Sequence, residues 1–172
     1  MELETSRLFI RRLTPSDWTE MQEIIADFNQ STYVIYDVSL PSDAAEVKAL
    51  TKAYADTNMF FAVFLPDSPK MLGYICFHKD NAQYDVGYCF RSSAHGHGYA
   101  LESVSALMRY IREQDADAVF TAGTALDNIP SCNLLKKLGF ECVGTETLSF
   151  HKDEAGNDIS FRGGNFVCTD LK

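Results

Sequence analysis

Residues 85–102 carry the side chains and glycines best suited to chemistry in this sequence. They read DVGYCFRSSAHGHGYALE, with Gly96 and Gly98 two positions apart. Glycines let an anion approach the main chain closely, and a helix that starts after them offers unpaired N–H groups to a phosphate. Three side chains could add positive charge, namely Arg91, His95 and His97. The segment therefore indicates a phosphate site, although a tight strand-to-helix connection would use glycines in the same way.

Two common phosphate-binding motifs do not account for these glycines. The dinucleotide fingerprint G-x-G-x-x-G requires a glycine at position 101, where the sequence has Leu101. A P-loop requires Gly-Lys followed by Ser or Thr, and the chain contains no such run. The pattern therefore excludes both motifs.

The glycine segment joins a predicted strand to a predicted helix. Alternation over residues 83–90 predicts a strand with aromatic and apolar side chains on one face and Asp85 on the other. Apolar residues then recur at helical spacing, which predicts a helix over 98–114. Residues 118–124 have the composition of a buried strand, so the middle of the chain is predicted to form a strand–helix–strand crossover.

The flanking sequence completes a mixed α/β class. Capping pairs predict two helix starts, one at Thr14 with Asp17 and one at Asp43 with Glu46. Residues 29–41 show no clear period and are interpreted as a loop over a site. Further strands are predicted at 8–10, 59–65, 71–77, 140–143, 146–151 and 160–168, and a short helix at 130–138.

Length and charge limit the classes of function. The 172 residues suffice for one domain, taken as 1–172, and carry a formal net charge of −9. That charge argues against a nucleic-acid or anionic-membrane binder, because both need a basic surface. The five cysteines form no C-x-x-C and no metal-like spacing with the four histidines, which predicts reduced thiols and no metal. A charged N-terminus and no long apolar run predict a cytoplasmic protein.

Three blocks, in order along the chain, resemble the GCN5-related N-acetyltransferases (the GNAT family). His95-x-x-Gly98-x-Ala100 is similar to the family's Gln/Arg-x-x-Gly-x-Gly/Ala motif. Residues 4–11 and 128–140 are similar to the opening strand and to the Asn-x-x-Ser…Lys-x-Gly-Phe block of the ribosomal-protein N-terminal acetyltransferase (RimJ/RimL-like) branch. Together these blocks span nearly the whole chain.

The resemblance implies one α/β domain, with a twisted mixed sheet of about seven strands and about four helices. Two parallel strands, ending near Phe90 and Thr124, would separate to admit the pantetheine arm of acetyl-CoA, and main-chain groups of Phe90 and Arg91 would bind that arm. The residues expected around the diphosphate are His95, Gly96, His97, Gly98, Tyr99 and Ala100. Those expected near the thioester are Asn128 and Ser131.

The implied reaction is transfer of an acetyl group from acetyl-CoA to a primary amine by direct attack in a ternary complex. Ser131 is the candidate proton donor to the departing thiolate, or else it hydrogen-bonds its own helix start. Asp85 is the candidate base, or else it pairs with an arginine or binds the amine. The acceptor is a protein N-terminus or a small-molecule amine, and residues 33–38 are expected to line its slot.

Two positions depart from the family pattern. His95 stands where a glutamine or an arginine is usual, so a permanent cation is missing there. Leu135 stands where many members have a tyrosine that acts as general acid. These departures keep open an alternative function, a non-catalytic acyl-CoA-binding or sensing domain of the same fold. The sequence also leaves open whether the chain forms a homodimer.

Overall fold

The computed structural model describes residues 1–168, and the strands of this part form one eight-stranded mixed sheet. The strands are β1 (Glu2–Glu4), β2 (Phe9–Arg12), β3 (Phe60–Phe64), β4 (Met71–Asp80), β5 (Gln83–Phe90), β6 (Val119–Ala125), β7 (Phe140–Lys152) and β8 (Asp158–Cys168). They lie in the spatial order β1, β2, β3, β4, β5, β6, β8, β7. Each neighbouring pair is antiparallel except β5 with β6, which is parallel.

Helices cover both faces of this sheet. They are α1 (Trp18–Asn29), α2 (Ala44–Asp56), α3 (Tyr99–Gln114) and α4 (Ile129–Lys137). Buried side chains of α3 and α4 pack on one face in a cluster that includes Leu107, Leu135 and Phe120. Those of α1 and α2 pack on the opposite face in a cluster that includes Ile24 and Val47. The residues of β3 alternate between the two clusters, as successive side chains on a strand do.

Both helix starts predicted from capping pairs are confirmed. Thr14 and Asp17 form a capping box on a short 3₁₀ turn that leads into α1. The Asp43 carboxylate accepts hydrogen bonds from the backbone N–H groups of Ala45 and Glu46, at 2.9 and 3.2 Å, and so begins α2. A cap of this kind satisfies N–H groups that have no partner within the helix.

Strands β5 and β6 pair over a short distance and then separate. Their register joins Gln83 to Val119, Tyr84 to Phe120 and Asp85 to Thr121, and it ends there. Beyond that point β5 stays paired with β4 and β6 stays paired with β8. We call the resulting gap, between β5 after Asp85 and β6 after Thr121, the fork.

The sheet differs from the sequence prediction at its two edges. It has eight strands rather than about seven, because residues 2–4 pair with β2 as a short edge strand. Residues 140–143 and 146–151, predicted as two strands, belong to one strand, because a register shift between Cys142 and Gly144 absorbs the irregularity without breaking the pairing with β8. The mixed α/β class and the four helices are confirmed.

None of the helices within residues 1–168 has both the length and the apolar content of a membrane span. That part of the chain also contains no group of three or more His, Cys, Asp or Glu residues placed to bind one metal ion.

Candidate active site

The loop between β5 and α3 exposes a run of backbone donors. Gly96 and Gly98 have φ angles of +78° and +80°, in the left-handed region that favours glycine, and Gly98 is the N-cap of α3. The first backbone bond of the helix runs from the N–H of Glu102 to the carbonyl of Gly98, at 3.1 Å. Within residues 1–168, the backbone N–H groups of residues 96–101 donate to no protein acceptor. These groups, at the positive end of the helix dipole, suit a bound anion.

The space above these donors is open. A Cβ built on Gly96 would meet nothing within 4 Å, and one built on Gly98 would meet only the Nη2 atom of Arg7, at 3.5 Å. Tyr99 and Ala100 form the first turn of α3, and the His97 ring stacks on the Tyr99 ring with centroids 5.4 Å apart. The six residues that sequence reasoning placed around a diphosphate therefore lie on one loop and its adjoining helix turn.

His95 differs from the other residues of the loop. Its backbone N–H donates to the Ser92 carbonyl at 3.1 Å, so that donor is already used. Its ring Nε2 hydrogen-bonds to the Phe90 carbonyl at 3.0 Å. The imidazole thus holds the loop against the end of β5 and does not extend freely toward a ligand.

The edge of β5 that faces the fork presents alternate peptide groups. The N–H of Arg91 donates to Leu72 next to β4, whereas the carbonyl of Ala82 accepts from Val119 of β6. Since N–H and C=O directions alternate along a strand, Val86, Tyr88 and Phe90 direct theirs into the fork. An extended ligand could pair there as an additional strand does.

Ser131, in the first turn of α4, contacts Tyr88 of β5. Its Oγ lies 2.8 Å from the Tyr88 hydroxyl, and either atom can be the donor. The Asn128 side-chain oxygen accepts from the Ser131 N–H at 3.2 Å, so Asn128 caps α4. Burial raises the pKa of Tyr88 to about 12, although the hydrogen bond with Ser131 opposes the shift. The phenol therefore keeps its proton at neutral pH.

Tyr88 was absent from the predicted site because its alternation with Tyr84 and Val86 is typical of a core-facing residue. The family resemblance predicted that the strands separate near Phe90, but nothing in the sequence pairs Tyr88 with Ser131. Leu135, at the usual tyrosine position, is only 1% exposed and belongs to the core. The phenol nearest Ser131 is thus supplied by β5 and not by α4.

Asp85 lies at the closed end of the fork. It pairs with Thr121 in the β5–β6 register, and the Thr121 hydroxyl donates to its carboxylate at 3.1 Å. Surrounding protein atoms displace part of its hydration and raise its pKa, while the hydrogen bond from Thr121 and the nearby charge of His78 oppose that shift. Asp85 projects from the sheet face opposite to that of Tyr88, so the two groups flank the fork from different sides.

Arg91 is committed to internal contacts. Its Nε donates to the Met71 carbonyl at 2.6 Å, and its two other nitrogens bind Glu23 and Glu20 at 2.6 and 2.7 Å. The side chain is 8% exposed, and its backbone N–H is bound to Leu72. Arg91 therefore ties α1 to the ends of β4 and β5, and its guanidinium is buried among these partners and not exposed to a ligand. We call Arg91, Glu20, Glu23 and Met71 the clamp.

The segment between α1 and α2 packs against the β7–β8 hairpin. His151 Nε2 hydrogen-bonds to the carbonyls of Val34 and Asp37, at 3.1 and 2.7 Å, and the Tyr36 ring meets the Phe161 ring edge to face. Partial burial raises the pKa of Asp37. Burial, together with the charges of Asp85 and Asp37, raises the pKa of Cys76 to about 12. Phe161 and Phe166 project from opposite faces of β8, and Phe166 packs with α3 and α4, so the segment that contacts Phe161 lies on the sheet face that carries Asp85.

The family model described as an acetyltransferase (GNAT) domain matches residues 7–141. The chain therefore belongs to the GNAT acetyltransferase family, as its motifs predicted.

Relatives agree with this assignment. The chain is 30% identical over 147 residues to YnaD of Bacillus subtilis (strain 168), described as an uncharacterized N-acetyltransferase, and the match covers 84% of this chain and 85% of that protein. A GNAT-family acetyltransferase structure from Bacillus anthracis superposes with a TM-score of 0.80 at 21% identity, covering 99% of this chain and 98% of that one.

RimL, a ribosomal L7/L12 α-N-protein acetyltransferase solved in complex with coenzyme A, superposes with a TM-score of 0.76 at 15% identity, covering 96% of this chain and 97% of that one. Likeness at this level of identity establishes the fold. The branch predicted from the motifs is represented among these structural neighbours.

Proposed function

We propose that this protein transfers an acetyl group from acetyl-CoA to a primary amine. The observation that carries this proposal is the fork, with unpaired backbone donors at residues 96–101 beside its open end, in a chain of the GNAT family. The donors suit a diphosphate, and the fork edge of β5 suits the amide groups of a pantetheine arm.

Acetyl-CoA fits the polar groups found there. The amides of residues 96–101 would hold the diphosphate, and the peptide group of Tyr88 and the N–H of Phe90, whose carbonyl is bound by the His95 ring, would pair with the pantetheine arm. Arg91 contributes to this site only by holding the end of β5 in place. The RimL structure contains coenzyme A in a chain of the same fold, which supports this assignment.

Ser131 and Tyr88 would handle the proton on the sulfur side. In the overall reaction a C–N bond forms and a C–S bond breaks, and the thiolate that leaves must gain a proton. Ser131 would donate its hydroxyl proton to the sulfur, Tyr88, 2.8 Å away, would replace that proton, and the phenolate left on Tyr88 would regain a proton from water. For this to happen Tyr88 must be the donor in the resting hydrogen bond, because only then is the Ser131 proton free.

Asp85 would handle the proton on the amine side. An ammonium must lose a proton before it can attack, and a carboxylate whose pKa is raised is a stronger base than an exposed one. Its position at the closed end of the fork, on the sheet face opposite to that of Tyr88, would keep the accepting and donating groups apart.

The acceptor would approach over the sheet face that carries Asp85. The segment at residues 33–38 packs beside that face and adds the Asp37 carboxylate. Residues 1–60 carry ten acidic and five basic side chains, and the whole chain has a net charge of −9. A cationic amine, either a protein N-terminus or a small polyamine-like molecule, suits these charges.

One observation favours a second candidate, a non-catalytic acyl-CoA sensor. Leu135 fills the position of the usual tyrosine and is buried in the core, so α4 carries no phenol at that position. The presence of Tyr88 beside Ser131 supports the enzyme instead.

A thiol-release assay with acetyl-CoA separates the two candidates. The acceptor panel contains peptides with free N-termini and small polyamines, and the same peptides with acetylated N-termini are the control. The enzyme releases CoA only with free amines. Tight CoA binding by calorimetry without turnover on any amine would support the sensor, and no CoA binding would remove both candidates.

A further inference from the structure

A carboxylate in the first turn of α3 binds the N-terminal segment of the chain. One oxygen of Glu102 accepts from Thr5 Oγ1 at 2.6 Å, from Ser6 Oγ at 3.0 Å and from the Arg7 backbone N–H at 3.0 Å. Although partial desolvation opposes it, the hydrogen bonds from Thr5, Arg7 and Ser6 lower the pKa of Glu102. The residues before β2 are thus fixed against the helix that starts at the glycine loop.

The same carboxylate orients the Arg7 guanidinium. Nε and Nη2 of Arg7 both lie 2.7 Å from the second oxygen of Glu102, and Nη1 donates to the His97 carbonyl at 3.0 Å. The guanidinium carbon is 5.1 Å from the centroid of the Tyr99 ring. Contacts to a carboxylate, a carbonyl and a ring hold it in one orientation, so little side-chain entropy remains to be lost on binding a ligand.

Arg7 still has donors to offer. A guanidinium has several N–H groups, and among residues 1–168 one on Nη1 and one on Nη2 have no partner. The side chain is 49% exposed, and Nη2 is 3.5 Å from the position of a Cβ on Gly98. A charged donor therefore lies directly beside the free amides of the loop.

We propose that Arg7 binds the diphosphate of CoA together with those amides, an inference that rests on the function proposed above. It supplies the permanent cation that His95 does not, since the His95 ring is bonded to Phe90 and the Arg91 guanidinium is buried in the clamp. Glu102 is the positioning residue: three other donors occupy its first oxygen, and its second oxygen fixes the guanidinium. Residues 4–11, the first of the three family-like blocks, are thereby part of the proposed acetyl-CoA site.

Calorimetry with CoA tests this inference on the full chain. Arg7→Gln removes the positive charge. Arg7→Lys keeps the charge but removes the planar set of guanidinium N–H donors. Arg12→Gln is the matched control, because the Arg12 side chain is exposed and, within residues 1–168, bonds only to Asn58, at 3.2 Å. We expect Arg7→Gln to raise the Kd for CoA about tenfold or more, Arg7→Lys to give a smaller rise, and Arg12→Gln to leave it unchanged.

Two further readouts separate binding from a merely structural role. Loss of a phosphate contact reduces the dependence of Kd on salt, raises the KM for acetyl-CoA and leaves kcat at saturation unchanged. A structural role predicts a lower melting temperature and a fall in kcat. Equal CoA affinities for wild type and Arg7→Gln, or an unaltered salt dependence, would overturn the inference about Arg7 alone. A flat isotherm for the wild type would overturn the proposed function itself.

Discussion

The fork and the clamp lie at the same end of β5 but differ in how their polar groups are used. In the clamp, each guanidinium nitrogen of Arg91 has a carboxylate or carbonyl partner inside the protein. On the glycine loop beside the fork, the amides of residues 96–101 have no protein acceptor within residues 1–168. Bound polar groups stabilise the fold, whereas unpaired ones at a helix start are available to a ligand. The clamp side of the strand end therefore stabilises the fold, whereas the loop side leaves donors available to a ligand.

Gly98→Glu should have the largest effect on CoA binding. The substitution places a carboxylate among the free amides and forces a non-glycine residue to φ +80°. We expect CoA binding to become undetectable by calorimetry, while Gly156→Glu, at another positive-φ glycine in the β7–β8 turn, leaves it intact. Retained CoA affinity in Gly98→Glu would show that the loop does not hold the diphosphate.

Among changes to the clamp, Arg91→Leu should lower the stability of the fold the most. Arg91 is buried, but Glu20 and Glu23 are 25% and 59% exposed and stay partly hydrated, so losing the Arg91 hydrogen bonds to them and to the Met71 carbonyl should cost about 2 kcal/mol of unfolding free energy. Arg7→Gln, at a half-exposed pair, should cost less than about 1 kcal/mol. Chemical denaturation measures both values. The distinction fails if Arg91→Leu is as stable as wild type, or if its folded form has lost affinity for CoA.

Ser131→Ala should reduce turnover without weakening CoA binding. Loss of a general acid lowers kcat by about 100-fold, whereas the amides that hold CoA are unaffected. Tyr88→Phe should cause a smaller loss, about tenfold, because water can replace the phenol as the source of the proton to Ser131. Steady-state kinetics with acetyl-CoA, alongside calorimetry, give both quantities. Equal losses in kcat and in CoA affinity would make Ser131 a binding group only.

Asp85→Asn should change the pH profile more than the stability. Wild-type kcat/KM should fall as the pH drops through the raised pKa of Asp85, and this acidic limb should disappear in the variant. A raised carboxyl pKa means that the folded state binds the proton more tightly, so the ionised Asp85 destabilises the fold above that pKa. Asp85→Asn should therefore be slightly more stable at pH 7, with no gain at strongly acidic pH. An unchanged acidic limb would exclude Asp85 as the base.

Local patterns predicted most of the fold. The helix starts at Thr14 and Asp43, the end of α3 at Gln114 and the crossover from β5 to β6 all follow from caps and periodicity. The edges were harder, because a three-residue strand such as Glu2–Glu4 carries too few residues for a period.

The site could be predicted only where it is contiguous. The glycine loop is one segment of sequence, and its left-handed glycines are where the motif placed them. Arg91 is near that loop in sequence, yet it continues the face of Cys89, toward α1 and away from the fork. Arg7 and Tyr88 reach the site through pairings between distant segments, the first with Glu102 and the second with Ser131. Neither pairing has a signature in a single sequence.

A crystal structure of the wild-type protein with acetyl-CoA is the most direct test of the central claim. We predict the diphosphate on the amides of residues 96–101, the pantetheine arm along the fork edge of β5, and the thioester beside Ser131. Acetyl-CoA bound elsewhere on the molecule, with the fork closed to it, would contradict this account.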